Sequence, residues 1–270
     1  MGSYFAGIDV GSMTTKVAII SDEKEIVGKS ILPTGFSASK SAEEALNQAR
    51  AMASLKNGSI IRMVATGYGR NLISLADEKI TEITCHARGA FERIGSALTL
   101  VDIGGQDSKA IVITSSGKVD KFIMNERCAA GTGRFLEVMA RALETDLVNM
   151  SDMAIKARSR AQINSLCTVF AETEVIGLIA RGADRDEIAN GLCWSVAERI
   201  TGMAKKVGIN DLVYVSGGVA YNKAVIAAIS KQLGRNIQMI NDPQLNGAYG
   251  AALIALQKDS GLPSVRNEYV

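Results

Sequence analysis

The chain repeats its own opening. Gly7-Ile-Asp-Val-Gly-Ser-Met-Thr-Thr-Lys16 and Leu100-Val-Asp-Ile-Gly-Gly-Gln-Asp-Ser-Lys109 both read apolar, Asp, apolar, Gly, with a lysine further on. Each copy heads three β-rich runs separated by turn residues: Tyr4 to Val10, Lys16 to Ser21 and Ile26 to Leu32, then Leu98 to Ile103, Lys109 to Thr114 and Val119 to Met124. Duplication of a whole supersecondary unit predicts two similar lobes with a cleft between them. The expected boundaries are a first lobe over 1–96 and a second over 97–245, then a helix from 246 that packs back on the first lobe and leads into a loose tail over 259–270.

Between the repeats the patterns alternate, which makes the class α/β. Ser41 with Glu44 reads as a capping box opening an Ala-rich helix to about Leu55. A strand over Ile60 to Ala65 leads into the turn Thr66-Gly-Tyr-Gly69, and helical patterns follow near 71–77 and 80–94. The second half is mainly helical, near 130–145, 168–181, 184–207, 221–233 and 246–257, interrupted by strands at Leu212 to Ser216 and Asn236 to Asn241.

Charge and apolar content narrow the function classes. Lys and Arg number 30 against 28 Asp and Glu, so nothing predicts a nucleic-acid or acidic-membrane partner. No stretch approaches the roughly 18 apolar residues of a membrane span. The strand-like start lacks the basic region of a secretory signal. Four cysteines in 270 residues do not make a disulfide scaffold, so a cytoplasmic setting with reduced thiols is expected.

The two Asp-x-Gly turns carry chemistry. The glycine permits a tight turn, and the N–H groups after it face an anion. Asp9 and Asp102 end the first strands of the two lobes, and paired carboxylates of that kind suit a hydrated Mg²⁺ beside phosphate. Gly11, Ser12, Thr14, Thr15 and Lys16, with Gly104 and Gly105, are the candidate phosphate binders, and Gln106 is placed to orient an attacking water. A buried strand, Val213-Tyr-Val-Ser216, then ends in Gly217-Gly218 with Asn222 beyond, where backbone can approach a base or ribose. No P-loop is present, and Gly131-Thr-Gly133 lacks the third glycine of a dinucleotide fingerprint. In order, the three segments resemble the phosphate-1, phosphate-2 and adenosine motifs of the actin, hexokinase and heat-shock chaperone ATPases. That resemblance implies two ribonuclease-H-like lobes with ATP in the cleft.

Cys128 and Cys167 each precede a helical pattern, where free N–H groups and the positive helix end favour a thiolate. Cys193, beside Trp194 within a helix, reads as core filler, and Cys85 adjoins the sole histidine, His86. A zinc site from Cys85, His86, Cys128 and Cys167 is an alternative without a C-x-x-C pair to support it. A [4Fe–4S] cluster wants four thiolates, and a two-fold dimer supplies two from each chain.

Cys128-Ala-Ala-Gly-Thr-Gly-Arg-Phe135, Cys167-Thr-Val-Phe-Ala-Glu172 and Ala65-Thr-Gly-Tyr-Gly-Arg70 closely resemble the 2-hydroxyacyl-CoA dehydratase activators and the related ATPase subunits of benzoyl-CoA reductases. The resemblance implies one [4Fe–4S] cluster held between the subunits of a homodimer by Cys128 and Cys167 of each chain. It implies ATP, ADP and Mg²⁺ as further cofactors, and a ferredoxin- or flavodoxin-type donor. The acceptor implied is an iron–sulfur dehydratase, a benzoyl-CoA-type reductase or a double-cubane reductase. A small-molecule kinase would share the nucleotide motifs alone.

Overall fold

The computed structural model describes residues 2–125, 128–164 and 167–259. The chain divides into two compact units, one from the described parts of Met1–Leu98, Ile113–Lys121 and Ile240–Val270, the other from Thr99–Val112 and Phe122–Met239. Ten strands form two five-stranded sheets among the described residues.

The first sheet contains β1 (Tyr4–Val10), β2 (Thr14–Ser21), β3 (Ile26–Pro33), β4 (Ile60–Thr66) and β5 (Glu78–Lys79), in the order β3-β2-β1-β4-β5. β1 runs antiparallel to β2, with Asp9 opposite Lys16, and parallel to β4. The second contains β6 (Leu98–Ile103), β7 (Ser108–Ile113), β8 (Val119–Asn125), β9 (Val213–Ser216) and β10 (Ile237–Met239), in the order β8-β7-β6-β9-β10. Three strands consecutive in sequence, then two that return after helices, recur in both sheets. The duplication legible in the sequence is therefore a duplication of strand order.

Successive side chains of a strand point to opposite faces, and here both faces of β1 and β2 are covered. Ala6, Ile8, Val10, Val17 and Ile19 pack with Ala42, Ala45, Leu46 and Ala49 of α1 (Ala38–Met52). Phe5, Ala18 and Ile20 pack with Ala248, Ala251, Ala252 and Ala255 of α8 (Asn246–Asp259). A helix lined with alanine lies close to its sheet, and glycines bring it closer. A Cβ at Gly7 would meet the Ala248 carbonyl oxygen at 1.9 Å. α2 (Glu82–Ile94) crosses α8 in the same way: a Cβ at Gly250 would meet the Cys85 carbonyl oxygen at 1.7 Å, and one at Gly89 the Asn246 carbonyl oxygen at 2.4 Å. Gly250→Ala is thus expected to force the helices apart and cost about 3 kcal/mol or more, lowering the melting temperature by on the order of 10 °C. A Gly250→Ala protein melting within about 2 °C of the parent would contradict this crossing.

The second unit has its own core, from Val101, Ile103, Val213 and Val215 of the sheet and from α3 (Gly133–Ala142), α4 (Leu147–Lys156), α6 (Arg185–Val207) and α7 (Lys223–Leu233). α6 is well specified locally. Asp184 caps it by accepting from the Asp186 and Glu187 N–H groups, acidic residues open it, Lys205 and Lys206 close it, and Gly208 ends it at φ +99°. α5 (Thr168–Ala180) buries Ala171 and Val175 in the core and packs Leu178 and Ile179 against it.

Three local expectations differ. α1 begins earlier, capped by Ser37, whose side chain accepts from the Lys40 N–H. Ser41 instead donates to the Pro33 carbonyl. Residues 71–77 are not an α-helix: a 3₁₀ turn at Arg70–Leu72 leads into β5, because the Asp77 carboxylate accepts the Met63 N–H and draws the chain onto the sheet edge. α4, unanticipated, is capped by Asp146, which accepts from the Asn149 N–H. The expected loose tail, beyond Asp259, lies outside the described residues.

Candidate functional site

In the first unit the end of β1 places Asp9, and burial leaves it 5% exposed. Lys16, its antiparallel partner, brings Nζ to 3.4 Å from Asp9 Oδ2. Gly11 lies under that ammonium: a Cβ there would be 3.0 Å from Lys16 Nζ. The turn is closed by the Gly11 N–H donating to the Thr14 carbonyl at 3.0 Å. Thr34 donates to the Gly11 carbonyl at 2.7 Å and shares a hydrogen bond with Thr15 Oγ1 at 3.0 Å. Thr15 lies beneath the candidate phosphate turn. It is wholly buried and braces the turn from beneath, whereas Ser12 is exposed and Thr14 half-buried.

Glycines crowd the Asp9 carboxylate. Gly67, at φ +87°, would place a Cβ 2.5 Å from Asp9 Oδ1, and Gly247 would place one 3.0 Å from Oδ2 and 2.8 Å from His86 Nε2. The Gly69 N–H donates to the Val10 carbonyl at 2.8 Å, so the Thr66-Gly-Tyr-Gly69 turn wraps the end of β1. Gly247 and His86 were not assigned to the site from sequence. Their proximity depends on α8 and α2 meeting, which no local pattern encodes.

In the second unit Asp102 ends β6 and is 3% exposed. Its Oδ1 accepts from Ser216 Oγ at 2.6 Å, which ties β6 to β9, and its Oδ2 lies 3.3 Å from Lys109 Nζ. Lys109 also pairs with Asp107 at 2.7 Å. The Gly104 N–H donates to the Asp107 carbonyl at 2.9 Å, closing the turn, and Gln106 at its apex is exposed. The carbonyls of Gly104 and Gly105 accept from the Gly133 and Arg134 N–H groups at 2.9 and 2.7 Å. The first turn of α3 is thereby fastened to the candidate phosphate turn.

Gly217 has φ +85°, and a Cβ there would meet the Ile103 carbonyl oxygen at 2.2 Å. The close approach of β9 to β6 requires glycine before any ligand is considered. Asn222 caps α7, its Oδ1 accepting from the Val225 N–H at 3.0 Å. Its Nδ2 is buried without a hydrogen-bond partner among the described residues, a donor that a bound ligand could satisfy.

The cysteines fall into two classes. Burial pushes the Cys85 and Cys193 thiols up to about 12, so both stay protonated at neutral pH. Cys128 is half-buried and Cys167 exposed. Cys167 sits at the N-cap of α5, as expected. Cys128 does not start a helix: α3 begins at Gly133, after Gly131 at φ +83°. Asn125 Nδ2 holds the intervening loop by donating to the carbonyls of Cys128 at 2.9 Å and Ala130 at 3.2 Å. Among the described residues no group of three or more His, Cys, Asp or Glu side chains is placed to hold a metal. Nor is any helix among them long and apolar enough to cross a membrane.

The family model described as the BadF/BadG/BcrA/BcrD ATPase family matches residues 6–255. The activator of lactoyl-CoA dehydratase of Anaerotignum propionicum is 45% identical over 94% of this chain and 98% of its own. Among solved structures, component A of the (R)-2-hydroxyglutaryl-CoA dehydratase of Acidaminococcus fermentans superposes with a TM-score of 0.91 at 42% identity, covering 96% of this chain and 99% of that one. The activator of the 2-hydroxyisocaproyl-CoA dehydratase from Clostridium difficile, solved with bound ADPNP, gives 0.90 at 35% identity, covering 97% and 99%. A ROK-family glucokinase of Streptomyces griseus gives 0.55 at 15% identity, covering 94% and 100%, which is likeness of fold alone. The fold is that of the actin-like ATPases.

Proposed function

The chain belongs to the BadF/BadG/BcrA/BcrD ATPase family, and from that premise we propose that it spends ATP to send single electrons from a subunit-bridging [4Fe–4S] cluster into a 2-hydroxyacyl-CoA dehydratase. One observation carries the proposal. Of four cysteines, the two kept accessible lie in one unit with Asp102, and the helix that follows one of them, α3, is fastened to the candidate phosphate turn.

Asp9 and Asp102 suit a hydrated Mg²⁺, each held in orientation by a lysine. Lys16 remains partly open, where an ammonium can meet phosphate. The orphaned Asn222 Nδ2, beside Gly217 and Gly218, suits an acceptor on a ribose or base. Gln106, exposed at the turn, is the candidate for orienting water. Asp9, Asp102 and Gln106 are thus proposed for hydrolysis, with Gly11, Ser12, Thr14, Lys16, Gly104 and Gly105 around the phosphates.

Cys128 and Cys167 supply two thiolates, and a [4Fe–4S] cluster takes four, so two copies of the chain are required. When bound, the cluster supplies low-potential one-electron transfer. Val169 and Phe170 follow Cys167 and are each 68% exposed, an apolar surface suited to contact with the second copy. The Gly104 and Gly105 carbonyls transmit any movement of the phosphate turn to α3 and so to the loop carrying Cys128.

Anaerobic purification tests this proposal. The protein should be brown, with about four irons and four sulfides for every two chains. With ATP and a ferredoxin or flavodoxin, it should activate a 2-hydroxyacyl-CoA dehydratase, and a non-hydrolysable analogue should not replace ATP. Colourless, iron-free protein with intact ATPase activity would overturn the electron-transfer role. Activation of a benzoyl-CoA-type or double-cubane reductase alone would move the assignment to that acceptor.

A further inference from the structure

Lys109 is a lysine where the core would take an aliphatic residue. Every residue of β7 is buried, and the Lys109 side chain is 2% exposed. Removing an ammonium from water costs several kcal/mol unless close counter-charges offset it. Two do so here, Asp107 at 2.7 Å and Asp102 at 3.3 Å. The duplication supplies a built-in comparison. Lys16 follows Asp9 by the same interval as Lys109 follows Asp102, but Thr14 stands where the second copy has Asp107. Lys16 lies 3.4 Å from its carboxylate with its side chain 16% exposed. The extra carboxylate accompanies a lysine drawn fully inside.

We propose that Lys109 is a positioning residue, clamping Asp102 and Asp107 together so that the candidate magnesium carboxylate is set before nucleotide arrives. The two related lysines then have divided roles. Lys16 keeps an ammonium within reach of phosphate, and Lys109 has exchanged that reach for control of Asp102. Asp102 is gripped at both oxygens, by Ser216 at Oδ1 and by Lys109 at Oδ2. Asp107 is the outer jaw, its side chain 27% exposed, and its own carbonyl closes the turn on Gly104. A clamp of this kind spares the site a rearrangement at each turnover.

The inference rests on the proposed role of Asp102, so the experiment separates the two. ATP hydrolysis by full-length, anaerobically purified Lys109→Met, Asp107→Asn and Asp102→Asn proteins is measured against Mg²⁺ concentration, with ADP affinity and melting temperature alongside. Lys109→Met should raise the Mg²⁺ needed for half-maximal turnover about tenfold and lower kcat by about ten- to a hundredfold. ADP affinity without metal should stay within about threefold. Asp107→Asn, at a partly exposed position, should shift Mg²⁺ dependence the same way by a smaller factor. A merely structural lysine would lower the melting temperature and leave the Mg²⁺ midpoint unchanged, and that result overturns the clamp. If Lys109→Met does not fold, Asp107→Asn decides, and an unshifted midpoint in that variant refutes it. Full activity in Asp102→Asn would instead refute the assignment of Asp102 itself.

Discussion

Cys128→Ser and Cys167→Ser proteins, purified without oxygen, are expected to lose essentially all bound iron, whereas Cys85→Ser and Cys193→Ser keep it. The physical reason is access and ionisation. An iron ligand must be a thiolate. Burial pushes the Cys85 and Cys193 thiols up to about 12, so both stay protonated at neutral pH. Iodoacetamide applied to iron-stripped protein should accordingly label Cys128 and Cys167 and spare the other two until the chain unfolds. Nucleotide binding should survive both ligand substitutions, since neither thiol belongs to the Asp102 site. Loss of iron from Cys193→Ser would sink the assignment, because the serine at that position touches only core.

Asp102→Asn is expected to lower Mg²⁺-dependent ATP hydrolysis by on the order of 10²-fold, about 2.7 kcal/mol of barrier. ADP affinity should change by no more than about threefold. Asparagine keeps the shape and one acceptor, but it removes the charge that faces Lys109 and that the proposed hydrated Mg²⁺ would meet. Asp107 still pairs with Lys109, so the fold should survive, and a circular dichroism melt checks that. Gly218→Val should act in reverse, weakening nucleotide binding more than turnover. Gly217 is unsuitable for this contrast because its Cβ would strike the Ile103 carbonyl oxygen. Wild-type activity in both Asp102→Asn and Gly218→Val would remove the nucleotide site from this place.

The repeated apolar-Asp-apolar-Gly segment announced both the duplicated three-strand openings and the carboxylates near the strand ends. Long helices with local caps, such as α6, were equally plain. What failed to show depended on distant partners. Leu72, Ile73, Leu75 and Ala76 carry a helical pattern, but pairing of Val64 with Glu78 and Ala65 with Lys79 places the chain on a sheet edge. Ser41 and Glu44 match a capping box, yet the chain turns at Gly35, φ +59°, and Ser37 caps first. Cys128 precedes a helical pattern, but in the stretch between them Gly131 and Gly133 weaken helix and Gly131 takes φ +83°. Asn125 and the Gly104 and Gly105 carbonyls settle it as a loop. The division between Lys16 and Lys109 was present in the sequence as Thr14 against Asp107, but burial gives that difference its meaning.

The contribution of α8 to the first unit has a consequence for how the protein is born. A ribosome releases β1 to β4 and α2 early, yet the face of the sheet carrying Phe5, Ala18 and Ile20 stays uncovered until residues 248–255 emerge. The second unit lies between in the message, and at about 5–20 residues per second its synthesis occupies on the order of ten seconds. Through that interval the nascent first unit shows water an apolar sheet with a glycine groove, the kind of surface that chaperones hold. The second unit has no such wait, since its sheet and helices are contained within 99–239 apart from the short Ile113–Lys121 excursion. Translation halted before residue 246 would therefore yield a folded second unit attached to a first unit that cannot close, and in which Asp9 lacks the wall that Gly247 provides.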